Sequence, residues 1–207
     1  MSDKSIEIDY YLTPVSPWTY LGARRFRDIA EEHNAKVNLR IVDYGVIFPK
    51  TGGLPLPKRA PARQAYRLKE LARFRDFLGI PLVVEPAYFP SRTRLTAYSI
   101  LAAVDQGGVG DGLIASEAVL QGLWAEEKDM DDPASVAQTL NAAGLDGAKL
   151  VEMASSDSAH FDSLIAADTE KALEQGVFGA PSYVFDGEVF WGQDRLDLLS
   201  WRLDRIS

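Results

Sequence analysis

Three short segments carry residues whose types and spacing could do chemistry. Ser16-Pro17-Trp18-Thr19 sets a hydroxyl directly before a proline, a common helix start. The serine oxygen accepts a backbone N–H, and proline at the first helical position gives up an N–H that would have no partner there. A hydroxyl so placed can also donate its own hydrogen to an anion that the helix end attracts. Gly176-Val-Phe-Gly-Ala-Pro-Ser-Tyr-Val184 leads Pro181 into a strand-like run. Proline cannot donate to a ladder, so it marks an edge or a bend, and the Ala180-Pro181 bond is open to the cis form. Trp191-Gly-Gln-Asp-Arg-Leu196 reads as a strand end and then a helix cap at Asp194. Such a helix end is also a place where Gln193 and Asp194 could meet the charged end of a small ligand. Each segment has an ordinary structural explanation beside the chemical one, and local sequence leaves both open.

What the chain lacks narrows the chemistry. With no cysteine among 207 residues, disulfides, thiolate metal sites and cysteine nucleophiles are excluded, so any thiol must be borrowed from a ligand. The two histidines, His33 and His160, are far apart and read as solvent-side helix residues, so no metal site is expected. A formal net charge of −8 argues against a nucleic-acid footprint, which needs clustered, unbalanced Lys and Arg. No apolar run approaches the roughly 20 residues that span a bilayer. The N-terminus, Met1-Ser-Asp-Lys-Ser-Ile-Glu-Ile-Asp9, shows neither a signal nor a transit pattern. A small-molecule partner and a cytoplasmic location are therefore expected.

The elements that must position the three segments follow from hydrophobic period. Ile6 to Leu12 reads as a buried strand, Trp18 to Glu32 as a helix offering Leu21, Phe26, Ile29 and Ala30 to a core, and Val37 to Val42 as a second strand. From Tyr44 to Pro61 the density of Gly and Pro predicts a long ordered loop. Helical spacing then runs through residues 62–78, 93–105, 112–126, 133–143, 147–153 and 158–175. Strands return at Ser182 to Phe185 and Glu188 to Trp191, joined by the hairpin signal Asp186-Gly187, and a last helix covers Arg195 to Arg205.

This order, β-α-β, a helical block, then α-β-β-α, predicts an α/β fold: a thioredoxin-like domain with an all-helical domain inserted after the second strand. Residues 1–60 and 158–207 form the discontinuous thioredoxin-like part and residues 61–157 the insertion. In that fold the start of the first helix holds Cys-x-x-Cys, and here Ser16 and Thr19 occupy the two positions. A hydroxyl cannot exchange disulfides, but it can donate to the thiolate of a bound thiol. Lowering a thiol pKa from about 8.5 to about 6.5 takes roughly 2.7 kcal/mol, the order of one charge-assisted hydrogen bond plus a helix end. A cis-proline at the place of Pro181 would leave the N–H and C=O of Ala180 free for a peptide-like ligand.

Taken together, the Ser-Pro-Trp helix start, Gly-Val-Phe-Gly-x-Pro and Trp-Gly-x-Asp-Arg-Leu, with Gly79-Ile-Pro-Leu82 between them, resemble the 2-hydroxychromene-2-carboxylate isomerases and the related kappa-class glutathione transferases. The resemblance covers nearly the whole chain. It implies glutathione as cofactor, a homodimer, and isomerisation by transient thiolate addition to an unsaturated chromene carboxylate, giving a trans-benzylidenepyruvate product. It casts Ser16 as the catalytic hydroxyl on the glutathione sulfur. Ala180 and Pro181 would meet the cysteinyl unit, and Gln193 and Asp194 the γ-glutamyl end. Arg63 would hold the glycyl carboxylate, with Lys58 and Arg59 close by. An aromatic wall of Trp18, Tyr88, Phe89 and Trp124 would face the substrate, whose own carboxylate falls to Arg63, Arg92 or Arg94. The chain departs from the pattern at Lys50-Thr-Gly-Gly-Leu-Pro55, where the families offer an asparagine and Thr51 is the nearest replacement. The rival readings are a kappa-like transferase or peroxidase, and a thioredoxin-like module that binds glutathione or a partner without catalysis.

Overall fold

A computed structural model describes residues 6–206, so the first five residues of the N-terminal segment read above lie outside the described part. Strands β1 (Glu7–Leu12), β2 (Lys36–Ile41), β3 (Ser182–Phe185) and β4 (Glu188–Trp191) form one sheet in the order β2-β1-β3-β4. β2 runs parallel to β1, while β3 pairs antiparallel with β1 and with β4. Helix α1 (Pro17–Glu32) makes the crossover from β1 to β2. Between β2 and β3 come α2 (Tyr44–Thr51), α3 (Pro61–Leu78), α4 (Arg94–Gly107), α5 (Val109–Trp124), α6 (Pro133–Ala142), α7 (Gly147–Ser156) and α8 (Ser158–Glu174), and α9 (Leu196–Asp204) closes the chain. This is a thioredoxin-like sheet with a helical insertion after β2. Asp186 and Gly187 both take positive φ, 50° and 82°, as a two-residue hairpin of this twist requires.

Both faces of β1 are buried, for different partners. Ile8, Tyr10 and Leu12 join one large apolar cluster with α1, α4, α5 and α9, where Tyr10 stacks on Tyr183 at 5.2 Å and meets Phe26 at 4.5 Å. Tyr11 faces the other way, with Val42, Ile47, Ala172, Val177 and Val184 under α2 and α8. Asp9, on that second face, is the hub of an ion network. Its carboxylate accepts from Arg40 Nε at 2.7 Å, Gln175 Nε2 at 2.9 Å and Asn38 Nδ2 at 3.0 Å, and pairs with Lys171 at 3.0 Å. Burial alone would raise its pKa, but these donors outweigh that and hold it at about 2.

The segment 44–61 departs from the expected loop, because α2 occupies its first half and a 3-10 turn covers Leu56–Lys58. Asp43 caps α2, accepting from Gly45 N at 2.7 Å, and Ile47 is wholly buried against Tyr11. Pro49 cannot donate to the helix ladder, and the helix ends at Thr51 with Gly52 at φ 77°. A short helix with one buried residue leaves almost no periodic trace. His33 also departs from expectation. It caps the C-terminal end of α1 with its side chain 6% exposed, Nε2 lying 3.6 Å from Asp204. His160 is half-exposed and bonds Asp105 at 2.9 Å. Among the described residues no three His, Cys, Asp or Glu side chains gather as metal ligands, and no helix is long and apolar enough to cross a membrane.

Gly22 lets α1 lie close to the sheet. A Cβ there would sit 2.9 Å from Tyr183 Oη and 3.0 Å from Gln193 Cβ, both inside the core. Gly22→Val is expected to destabilise the fold by about 2 kcal/mol through overpacking. The urea midpoint falls while the slope of the unfolding transition stays unchanged.

Candidate active site

The C-terminal end of β1, the start of α1, α2, α3 and the Ala180 turn surround a cavity of about 1040 Å³, and a second of about 450 Å³ adjoins it. Both are walled by Trp18, Arg59, Arg63, Arg67, Ala180 and Trp191, which makes them two ends of one cleft. Ser16 lines the larger end. The proline after it forces an extended backbone, φ −81° and ψ 122°, so Ser16 caps α1 from outside the helix. Its Oγ accepts from Thr19 N at 3.2 Å. That bond uses a lone pair and leaves the hydroxyl hydrogen free to donate. Thr19 itself is fully buried, its Oγ1 without a partner, and it does not reach the cleft.

Ala180 stands across the shared wall, and the Ala180-Pro181 bond is cis. Gly192 N donates to Pro181 O at 2.8 Å and Ser182 Oγ to Gly179 O at 2.7 Å, which fixes the turn on both sides of Ala180. The N–H and C=O of Ala180 itself make no hydrogen bond among the described residues. Pro181 is buried and does not line the cleft, so its part is to place Ala180. Asp194 lines the smaller end, paired with Arg195 at 2.7 Å and partly exposed. Gln193 also borders that end but is 1% exposed, and its Oε1 and backbone O both accept from Arg25. Arg25 thus takes its Oε1, while its Nε2 is buried without a hydrogen-bond partner at the border of the cleft.

The aromatic wall is only partly as expected. Trp18 and Phe89 line the larger end. Trp124 is 0% exposed and stands behind Phe89, ring centroids 4.9 Å apart, so it supports the wall and does not form it. Tyr88 does not line the cleft and is 46% exposed. For Trp124 the cause is plain: a helical period marks a buried side chain without saying whether protein or ligand buries it. Thr51 reaches the cleft while its hydroxyl donates to Ile47 O at 3.0 Å.

The electrostatics are the least expected feature. Arg59, Arg63 and Arg67 stand along one wall in a chain with net charge −8, and none has an acidic partner among the described residues. Arg59 donates through Nε to Leu54 O at 2.8 Å. Burial, then the Arg63 charge, lowers its pKa, and burial, then Arg59, brings Arg67 down to about 10. Arg67 was not singled out in the sequence; the only signal was its spacing from Arg63, two like charges on one helix face. Arg94, by contrast, reaches the cleft already neutralised: it pairs with Asp162 at 2.8 Å and donates to Tyr98 Oη at 2.6 Å, while Tyr98 bonds Asp162 in turn. Arg92 does not line the cleft.

A free hydroxyl hydrogen at a helix N-terminus, an unused peptide edge and a wall of arginines without acidic partners thus face one cleft. The model of the DSBA-like thioredoxin domain matches residues 7–204. The chain belongs to the DSBA-like thioredoxin domain family. The chain is 25% identical to a 2-hydroxychromene-2-carboxylate isomerase of Pseudomonas putida over 205 residues, 96% of this chain and 95% of the relative. It is 24% identical to a kappa 2 glutathione S-transferase of Caenorhabditis elegans, covering 91% and 88%. A solved 2-hydroxychromene-2-carboxylate isomerase superposes with a TM-score of 0.77 at 24% identity, covering 97% of this chain and 95% of that one. The likeness carried by three segments of this DSBA-like chain thus extends over its whole length.

Proposed function

We propose that this DSBA-like protein is a glutathione-dependent cis-trans isomerase acting on 2-hydroxychromene-2-carboxylate-type substrates. The observation that carries the reading is Ser16, whose Oγ accepts from Thr19 N and keeps its hydrogen for an anion at the mouth of α1. Bound glutathione would supply a thiolate for addition to the conjugated alkene; the ring C–O bond of the hemiketal opens to a phenol and a ketone, the former double bond turns while it is single, and expulsion of the thiolate restores it in the trans form. The residues present fit that group: Ala180 offers an unpaired N–H and C=O to the cysteinyl unit, Arg63 a charge to the glycyl carboxylate, and Asp194 a carboxylate to the γ-glutamyl ammonium. Ser16 holds the sulfur's negative charge by hydrogen bond, with the helix end adding to it. Trp18 and Phe89 give a planar ring an apolar bed. The protein would work as a homodimer, as the resemblance implies.

A kappa-like transferase shares this thiolate and differs in its product, and the likeness to the Caenorhabditis elegans protein keeps it the second reading. Product analysis separates the two. Isomerisation returns the trans-benzylidenepyruvate with total free glutathione unchanged; a conjugate accumulating at the expense of glutathione would overturn the isomerase in favour of the transferase.

A further inference from the structure

We infer that Arg67 is the residue that binds the substrate's carboxylate, and that it selects acids that hold a carboxylate beside an aromatic ring. The inference rests on the isomerase reading and adds to it the determinant of substrate choice.

The chain has 30 acidic residues against 22 basic ones, so an arginine without an acidic partner is not short of candidates. Arg67 nevertheless makes no hydrogen bond or ion pair among the described residues, although it is half-buried. Its guanidinium lies over two ring faces, 5.4 Å from the centroid of Phe89 and 5.8 Å from that of Trp124. Those contacts hold the group in place and leave its donors open to the cleft, where the planar fork can take a carboxylate. Its depressed pKa has the same origin and still leaves it charged at neutral pH.

Its neighbours are poorer candidates. Arg63 is exposed, four residues earlier on α3, where a peptide carboxylate arriving from solvent would meet it first. Arg59 spends its Nε on Leu54 O. Arg94 is neutralised by Asp162. Arg67 alone combines an unused fork with an aromatic residue, Phe89, that also lines the Ser16 end of the cleft. A ring on Phe89 with its carboxylate turned to Arg67 satisfies both.

The test uses calorimetric binding of cinnamate and cinnamamide without glutathione, so it does not depend on thiolate chemistry. The two share a planar skeleton and differ in charge. The native protein is expected to prefer the acid by about 10- to 100-fold, the range of a charge-assisted pair. Arg67→Met brings that ratio within about threefold. Arg67→Gln, which keeps a planar polar tip and guards against a packing failure in the methionine variant, does the same. Arg63→Gln leaves the ratio as in the native protein. Equal affinity of the native protein for acid and amide, a preserved ratio in both Arg67 variants, or a ratio that collapses in Arg63→Gln alone would each overturn the assignment. Failure to form glutathione thiolate at Ser16 would instead sink the isomerase reading and leave this ratio readable.

Discussion

Ser16→Ala is expected to lower the isomerisation rate at pH 7 by up to about 25-fold and to change its pH dependence. With the hydroxyl, roughly 2.7 kcal/mol of preferential stabilisation keeps the thiol ionised at neutral pH. Without it the thiol returns toward about 8.5, and only a few per cent is thiolate at pH 7. The variant's rate should therefore climb nearly tenfold per pH unit up to about pH 8.5, where the native rate is already flat. Ser16→Thr keeps a capping hydroxyl and should recover much of the rate. A flat profile in Ser16→Ala would mean that the hydroxyl does something other than set the thiol's ionisation. Steady-state rates between pH 6 and 9 decide this.

Asp9→Ala carries the largest expected effect on stability, about 2–3 kcal/mol, because it removes the carboxylate that Arg40, Lys171, Asn38 and Gln175 share, while Arg40 keeps Asp168. Asp9 also shapes the acid limb. Its folded pKa of about 2 lies below the ordinary 3.8, so its stabilisation is complete above about pH 4 and is lost as pH falls toward 2. Urea unfolding at a series of pH values should show the native protein losing stability across that window more steeply than Asp9→Ala. Equal slopes would show that the network draws nothing from Asp9's charge. The network ties β1 and β2 to α8 and so supports the strand that leads into Ser16.

How much of this was legible in the sequence depends on whether a residue's neighbours in the chain are also its neighbours in space. The strands, α1 and the longer helices announce themselves because their apolar residues repeat with the right period, and Asp186-Gly187 does because two positive φ values restrict residue choice. Helix α2 did not, since a cap at Asp43 and one buried side chain, Ile47, decide it amid Gly and Pro. Ser16 and Ala180 were legible as candidates because both flank prolines at element boundaries. Trp124 was drawn into the site by the resemblance, whereas packing behind Phe89 places its side chain in the interior. Arg67 was hidden for the opposite reason: among charged helix residues solvation is the rule. Its distinction, a fork lying on aromatic rings with no acid to meet it, arises only from tertiary contacts.

The central claim is that this cleft ionises glutathione by means of Ser16. Its most direct test is the ultraviolet absorbance of glutathione thiolate near neutral pH on adding the native protein, and again with Ser16→Ala. The account predicts stoichiometric thiolate with the native protein and almost none with the variant. Thiolate formed equally by both would remove Ser16 from the chemistry, and thiolate formed by neither would leave a DSBA-like protein that binds a ligand without activating it.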